Sequence, residues 1–317
     1  MNLVAQRKWF YLFSLLLLIP GILSLTFWHL RLGIDFAGGA VATLGWEKSD
    51  KSVADLKKLA EEAKLSNLSV QATGNNELLV RYAAGSQDEA KSRLTQVEDK
   101  LKPAVTGLSE KSFAVVGPSV SKSLTEKAIK AVIVASVFII FYIAWAFRAV
   151  RAPASAWAFG VMAVVALLHD LLVTAGIFSI LGHFLLWVEV DSLFITAMLT
   201  VLGFSVHDTI VVFDRIRENL KLNPRRPLEE VVNDSLAQTL GRSLNTSLTV
   251  LLTLLALFML GSTATRGFVL ALLIGVTTGT YSSIFVASML LVSWQKFKLR
   301  RKSAASVGAP QPAGQNV

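Results

Sequence analysis

Two His-Asp pairs interrupt apolar runs in this sequence. The more telling lies in residues 201–219, VLGFSVHDTIVVFDRIREN, which begin hydrophobic, carry His207 and Asp208, and end in the charged cluster Asp214, Arg215, Arg217, Glu218. Read as a helix rising about 1.5 Å per residue, this stretch sets Asp208 roughly 9 Å deeper than Asp214, at hydrocarbon depth if the run spans a membrane. A carboxylate there costs several kcal/mol unless it is paired, hydrated or protonated. The candidate partner is Arg242, at the head of the next hydrophobic segment, because a short connection makes the two segments antiparallel neighbours. On that segment Arg242, Asn245, Thr246, Thr249 and Thr253 share one stripe at about 100° per residue. Lipid does not satisfy such a stripe, so it is expected to face other helices, whether as simple interhelical hydrogen bonding or as part of a functional path. Arg242 can snorkel to the interface or pair with Asp208, and pairing is the expectation.

The second pair, His169 and Asp170, falls about 24 Å from the cytoplasmic start of its own segment. Asp170 is thus expected in the outer half of the membrane, with Asp208 and Arg242 in the inner half. Staggered ionisable groups are what a proton path needs, whereas a satisfied buried pair would only hold helices together. Other chemistry finds no support. Neighbouring helical residues diverge by about 100°, so neither His-Asp pair chelates readily, and HExxH spacing is absent. No GxSxG elbow occurs, and the chain has no cysteine. An enzyme, a metal site and a bound cofactor are not expected.

The elements that must position these residues follow from composition. The 317 residues are 53% hydrophobic and only 17% charged, which indicates a polytopic membrane protein. The net charge of +9 belongs to Lys and Arg flanking hydrophobic runs and does not point to nucleic acid. Apolar spans are expected at 9–30, 128–147, 154–181, 190–213, 244–260 and 268–294. Pro20 and Gly21 should kink the first, which reads as a retained helix and not a cleaved leader. Arg148 and Arg151, the cluster Arg215 to Arg226, and Lys296 to Lys302 crowd alternate connections, so both termini are expected on the cytoplasmic side. Residues 32–123 would then be a periplasmic α+β domain, with strands at 33–44, 68–73, 77–82 and 112–116, helices at 52–65 and 86–102, and a turn at Gly74-Asn75-Asn76. That β-α-β-β-α-β order is the ferredoxin-like pattern. Gly38-Gly39 reads as a bulge or a close backbone approach, since it lacks the spacing and lysine of a phosphate loop. The remaining divisions are residues 1–31 for the cytoplasmic N-terminus and first span, 124–296 for five further helices with a cytoplasmic loop at 214–241, and 297–317 for a disordered cytoplasmic tail. In the sixth span Ala271, Gly275, Gly279, Ser283 and Ala287 put a small residue at every fourth position, a face for close packing or sliding.

GIDFAGG after the first span, VVGPSV before the second, HDLLVTAGIF, GFSVHDTIVVFDRIREN, GRSLNTSLTVLLTLLALF and GTYSSIFVAS in the third to sixth together resemble SecF, of the SecD/SecF family of protein-export subunits related to RND transporters. The resemblance covers nearly the whole chain apart from the tail. It implies a six-helix half bundle in the inner membrane that pairs with SecD, acts with the SecYEG channel, the SecA motor and YajC, and uses the proton-motive force to draw out translocating polypeptides late in export. It also implies that Asp208 in HDT and Arg242 in GRS are the charged membrane residues that matter. Where the family more often has Asn, this chain has His207, which could itself join a relay. An independent RND-like exporter of small molecules or lipids is the alternative, and a passive scaffold for SecD is a third reading.

Overall fold

The computed structural model describes residues 2–66, 68–74, 76–148, 156–185 and 187–307. After a 3-10 turn at Val4–Gln6, α1 (Arg7–Phe27) runs without a break through Pro20 and Gly21. Its end leads into the one-turn helix α2 (Ile34–Ala37), stopped by Gly38 at φ +72°. The expected first strand therefore begins late, as β1 (Gly39–Gly45). The Gly38-Gly39 pair is a close backbone approach, since a Cβ on Gly39 would sit 2.6 Å from the Tyr82 carbonyl oxygen.

The rest of this domain comprises β2 (Lys48–Ser49), α3 (Val53–Glu61), β3 (Ser69–Gly74), β4 (Glu77–Tyr82), α4 (Gln87–Leu101), β5 (Val105–Thr106) and β6 (Ser109–Val116). Both longer helices start at serine caps: Ser52 accepts from Asp55 N at 3.2 Å, and Ser86 from Glu89 N at 3.3 Å. The main sheet has the order β3-β4-β1-β6, and every pair in it is antiparallel. This is the ferredoxin-like arrangement, with β2 and β5 forming a separate two-stranded ribbon. Alternation along β1 buries Ala40, Ala42 and Leu44 against Leu56, Ala60, Leu94, Val97 and Leu101 of the two helices.

Among the described residues, six helical segments are long and apolar enough to cross a membrane. They are α1, α5 (Pro118–Ala146), α6 (Ala156–Phe184), α7 (Ser192–Leu222), α8 (Leu228–Leu260), and a last segment of α9 (Arg266–Tyr281), a π turn at Ser282–Val286 and α10 (Ala287–Val307). The expected loop at 214–241 is mostly helix, because α7 continues to Leu222 and α8 already begins at Leu228. Charged residues there suggested a loop, yet Asp214–Arg217 at 2.7 Å and Arg215–Glu218 at 2.6 Å pair along the helix surface. Similarly, α5 begins at Pro118, ahead of the expected span, and α10 carries helix past the expected tail boundary at 297 to Val307. Arg151, Asn75 and tail residues 308–317 lie outside the described residues. The sheet domain and the bundle have separate cores with no buried residue in common.

Candidate functional site

Asp208 is 2% exposed on α7. Ser247 of α8 approaches its carboxylate, and Thr280 of α9 donates to the Ser247 hydroxyl at 2.7 Å. Nevertheless, among the described residues Asp208 Oδ2 has no hydrogen-bond partner, and neither has the buried Ser243 hydroxyl on α8. The expected ion pair with Arg242 is not formed. Arg242 is exposed and makes no ion pair among the described residues. The reason is angular: the face that α8 turns inward is Ser235, Thr239, Ser243 and Ser247, each buried, and Arg242 stands one residue, about 100°, away from it. Asn245, Thr246, Thr249 and Thr253 share that open side, so the expected inward stripe faces outward in this chain. The three threonines bond carbonyls of their own helix, Thr246 to Arg242, Thr249 to Thr246 and Thr253 to Thr249, which leaves the Arg242 and Asn245 side chains as the unsatisfied polar groups of the stripe. His207 is exposed on the adjoining side of α7, in line with Thr196, Thr200 and Gly203.

Asp170 is the better-satisfied carboxylate. Its Oδ2 accepts from Ser205 of α7 at 2.5 Å, and its Oδ1 lies 3.1 Å from His169 Nδ1. His169 Nε2 in turn lies 2.5 Å from the Ser14 hydroxyl on α1. Ser283, in the π turn, donates to the Ser205 carbonyl at 2.9 Å. One buried network thereby joins α1, α6, α7 and the last segment, next to a π turn of the kind that interrupts helices at functional places.

The two carboxylates are closer in depth than the sequence suggested. Asp170 stands about 21 Å from the Phe184 end of α6 and Asp208 about 24 Å from the Ser192 end of α7. Ser205, which bonds Asp170, is three residues from Asp208, roughly one helical turn. The inner-half, outer-half separation is therefore corrected to a single cluster about one turn deep. Ser205, Ser243, Ser247 and Thr280 are members that sequence reading passed over, and Ser283 was read only as part of a small-residue face. The four-residue spacing of Ser243 and Ser247 along α8 was the available signal, but the true start of α8 was needed to see which face it served. Among the described residues no group of three or more His, Cys, Asp or Glu could hold a metal ion. Chemically, the cluster sets buried carboxylates beside hydroxyls of neighbouring helices.

Residues 96–297 match the family model for the C-terminal region of the protein export membrane proteins SecD and SecF. The chain is 46% identical over 303 residues to the protein translocase subunit SecF of Thermobaculum terrenum, covering 93% of this chain and 94% of that one. It is 38% identical to the protein translocase subunit SecDF of Thermus thermophilus, covering 85% of this chain but 35% of the relative. A crystal structure of SecDF from Thermus thermophilus, a translocon-associated membrane protein, superposes with a TM-score of 0.79 at 34% identity, over 93% of this chain and 39% of that longer one.

Proposed function

From the premise that this chain belongs to the SecD/SecF family of protein export membrane proteins, we propose that it is one half of a proton-driven device that draws translocating polypeptides across the cytoplasmic membrane. The SecDF relative is much longer than this chain, which supports a SecD-type partner supplying the other half bundle. The SecYEG channel, SecA and YajC are the further partners on this reading. Both termini are cytoplasmic and the sheet domain lies outside, which the distribution of Lys and Arg supports.

One observation carries the reading: Asp208 is buried at membrane depth with an unpartnered oxygen, one turn from the Asp170 network. Burying an unpaired carboxylate is costly, so this packing suits its neutral, protonated form. Ionisation calls for a cation, and Arg242 is the nearest along α8. Reaching it requires α8 to turn about its axis by up to the 100° that separates Arg242 from the Ser243 face. Asp208, Asp170 and His207 are the proton-handling groups, with the polar stripe Asn245, Thr246 and Thr249 lining the moving side. A proton crossing 100 mV releases about 2.3 kcal/mol, which shifts a two-state ratio roughly fifty-fold. No covalent chemistry is involved.

The test compares export into vesicles containing the full complex, at matched assembly, for the parent, Asp208→Asn and Arg242→Met, with and without a proton gradient. Both variants should assemble and lose the gradient-dependent part of export. Undiminished export in Asp208→Asn would leave the carboxylate structural and make the chain a scaffold.

A further inference from the structure

The junction between the sheet domain and the bundle is small and polar. Among the described residues the two cores share no buried residue, and Phe36 of α2 packs against the cluster containing Phe178, Val190 and Phe194. Beside the junction lies a cavity of about 600 Å³, bordered by Arg31, Arg81, Glu189 and the Tyr82 to Gly85 backbone. Besides the contact of α2 with α5, polar contacts join the domain to the α6–α7 connection and the start of α7.

They fall at two points. At the first, Glu189, in the α6–α7 connection, has a side chain only 9% exposed and pairs with cations from two other elements. Arg31, just past α1, reaches it at 3.4 Å, and Arg81 of β4 contacts its other oxygen. Main-chain bonds reinforce the point, with Gly33 N donating to the Val190 carbonyl at 2.8 Å and Val190 N to the Arg31 carbonyl at 2.8 Å. At the second, Asp35 of α2 accepts from the Ser192 backbone N at 2.9 Å and from its hydroxyl. Ser192 is the first residue of α7.

That helix also carries Asp208. From Asp208 to Ser192 is about 24 Å of uninterrupted helix, and a rigid rod passes a tilt or axial shift at one end to the other. The α1–α6 pair forms a second body, because Gly21 and Gly176 meet backbone to backbone and Ser24 bonds Ser179 at 2.7 Å. Arg31 thus holds Glu189 to the α1–α6 body, Asp35 holds the domain to α7, and Arg81 lies on the domain itself.

We propose that Glu189 with Arg31 and Arg81, and Asp35 with Ser192, form a two-point latch that transmits displacement of α7 to the sheet domain, so that Glu189, Arg81 and Asp35 are positioning residues for export. This rests on the ion-coupled reading of Asp208. Through Ser192, α7 reaches the domain directly. Alanine at Glu189 or Asp35 removes the side-chain acceptor at its point, whereas Gln or Asn keeps an oxygen facing the same donors.

The absence of cysteine allows clean labelling. Spin labels on Thr95→Cys in α4 and Ser262→Cys at the domain-side end of α8, both exposed, report domain position by pulsed electron resonance. The sample is the full complex in vesicles, with and without a gradient. The expected result is a narrow distance distribution in the parent that shifts with the gradient. In Glu189→Ala and Asp35→Ala it should be broadened and unshifted, with gradient-dependent export reduced at least about five-fold. Glu189→Gln and Asp35→Asn should restore most of both readouts, which a variant that merely misfolds would not predict. A parent-like distribution and shift in both alanine variants overturns the latch. So does a parent distribution that never shifts while export remains gradient-dependent. Loss of coupling in Asp208→Asn with intact alanine variants refutes the latch alone, whereas full coupling in Asp208→Asn refutes the ion-coupled reading beneath it.

Discussion

Asp170 and Asp208 are buried carboxylates about a turn apart, yet only Asp170 has partners at both oxygens. Removing the donor to Asp170 with Ser205→Ala leaves a buried acceptor short of a partner and should cost about 1–3 kcal/mol, read as a lowered thermal midpoint of the purified chain in detergent. While abolishing coupling, Asp208→Asn should leave that midpoint unchanged or raise it, because the amide is neutral without taking up a proton. If Asp208→Asn were as destabilising as Ser205→Ala, Asp208 would have a stabilising partner in the folded chain and the two-state account would fail. Both carboxylates were legible in the sequence because an acid within an apolar run announces itself. Ser243 and Ser247 were not, since serine is unremarkable in a membrane helix until its face is known. Glu189 was also missed, as one acid in a short loop carries no pattern. Burial pushes the Glu189 carboxyl above its ordinary range, against the pull of Arg81 and Arg31. An acid whose value is raised on docking takes up a proton in the docked form, so docking strengthens as pH falls toward its ordinary range and weakens as pH rises through the raised value. Acidifying the outer side from neutrality to about pH 5 should therefore leave the labelled distance distribution as narrow or narrower, and broadening would contradict that sign.

Between helices, the α1–α6 contact depends on two glycines. A Cβ on Gly176 would lie 2.5 Å from the Gly21 Cα, and one on Gly21 would lie 3.1 Å from the Gly176 Cα. Gly176→Val must push the helices apart and should cost about 1–3 kcal/mol. It should also weaken the Ser14–His169 bond, visible as faster hydrogen exchange near His169; an unchanged exchange pattern would show that α1 and α6 do not move as one body. The corresponding face of the last segment could be read in advance. Ala271, Gly275, Gly279, Ser283 and Ala287 are all buried, and a Cβ on Gly275 would overlap the Val201 side chain of α7. Small residues at every fourth position state a close approach whatever the partner. Strand alternation similarly made the ferredoxin-like order readable. The extension of α7 and α8 beyond the hydrocarbon was hidden, because a helix stabilised by surface ion pairs and by packing against its neighbour has the composition of a loop.

The whole chain is lopsided. Its last segment is mostly buried within the bundle, whereas α5 and α8 bury little, and the two open faces differ in kind. Midway along α5 the exposed side chains include Ile133, Val137, Phe138 and Phe141, which hydrocarbon solvates at no cost. On α7 and α8 they include His207, Arg242 and Asn245, which hydrocarbon does not satisfy. The sequence placed the α8 stripe against other helices, and its polarity made that sound; which chain supplies those helices is not a property of one subunit's hydropathy. Among the described residues nothing covers the stripe, and on the proposed reading the partner bundle does. A bulky residue there should obstruct assembly without harming the subunit's own core. Thr249→Trp is expected to reduce co-purification with a SecD-type partner at least about tenfold, or ~1.4 kcal/mol, with the thermal midpoint of the isolated chain unchanged. Phe138→Trp on the α5 face should alter neither. If Phe138→Trp disrupts assembly and Thr249→Trp does not, the partner sits on the apolar face, and Arg242 must find its counter-charge elsewhere than between the two bundles.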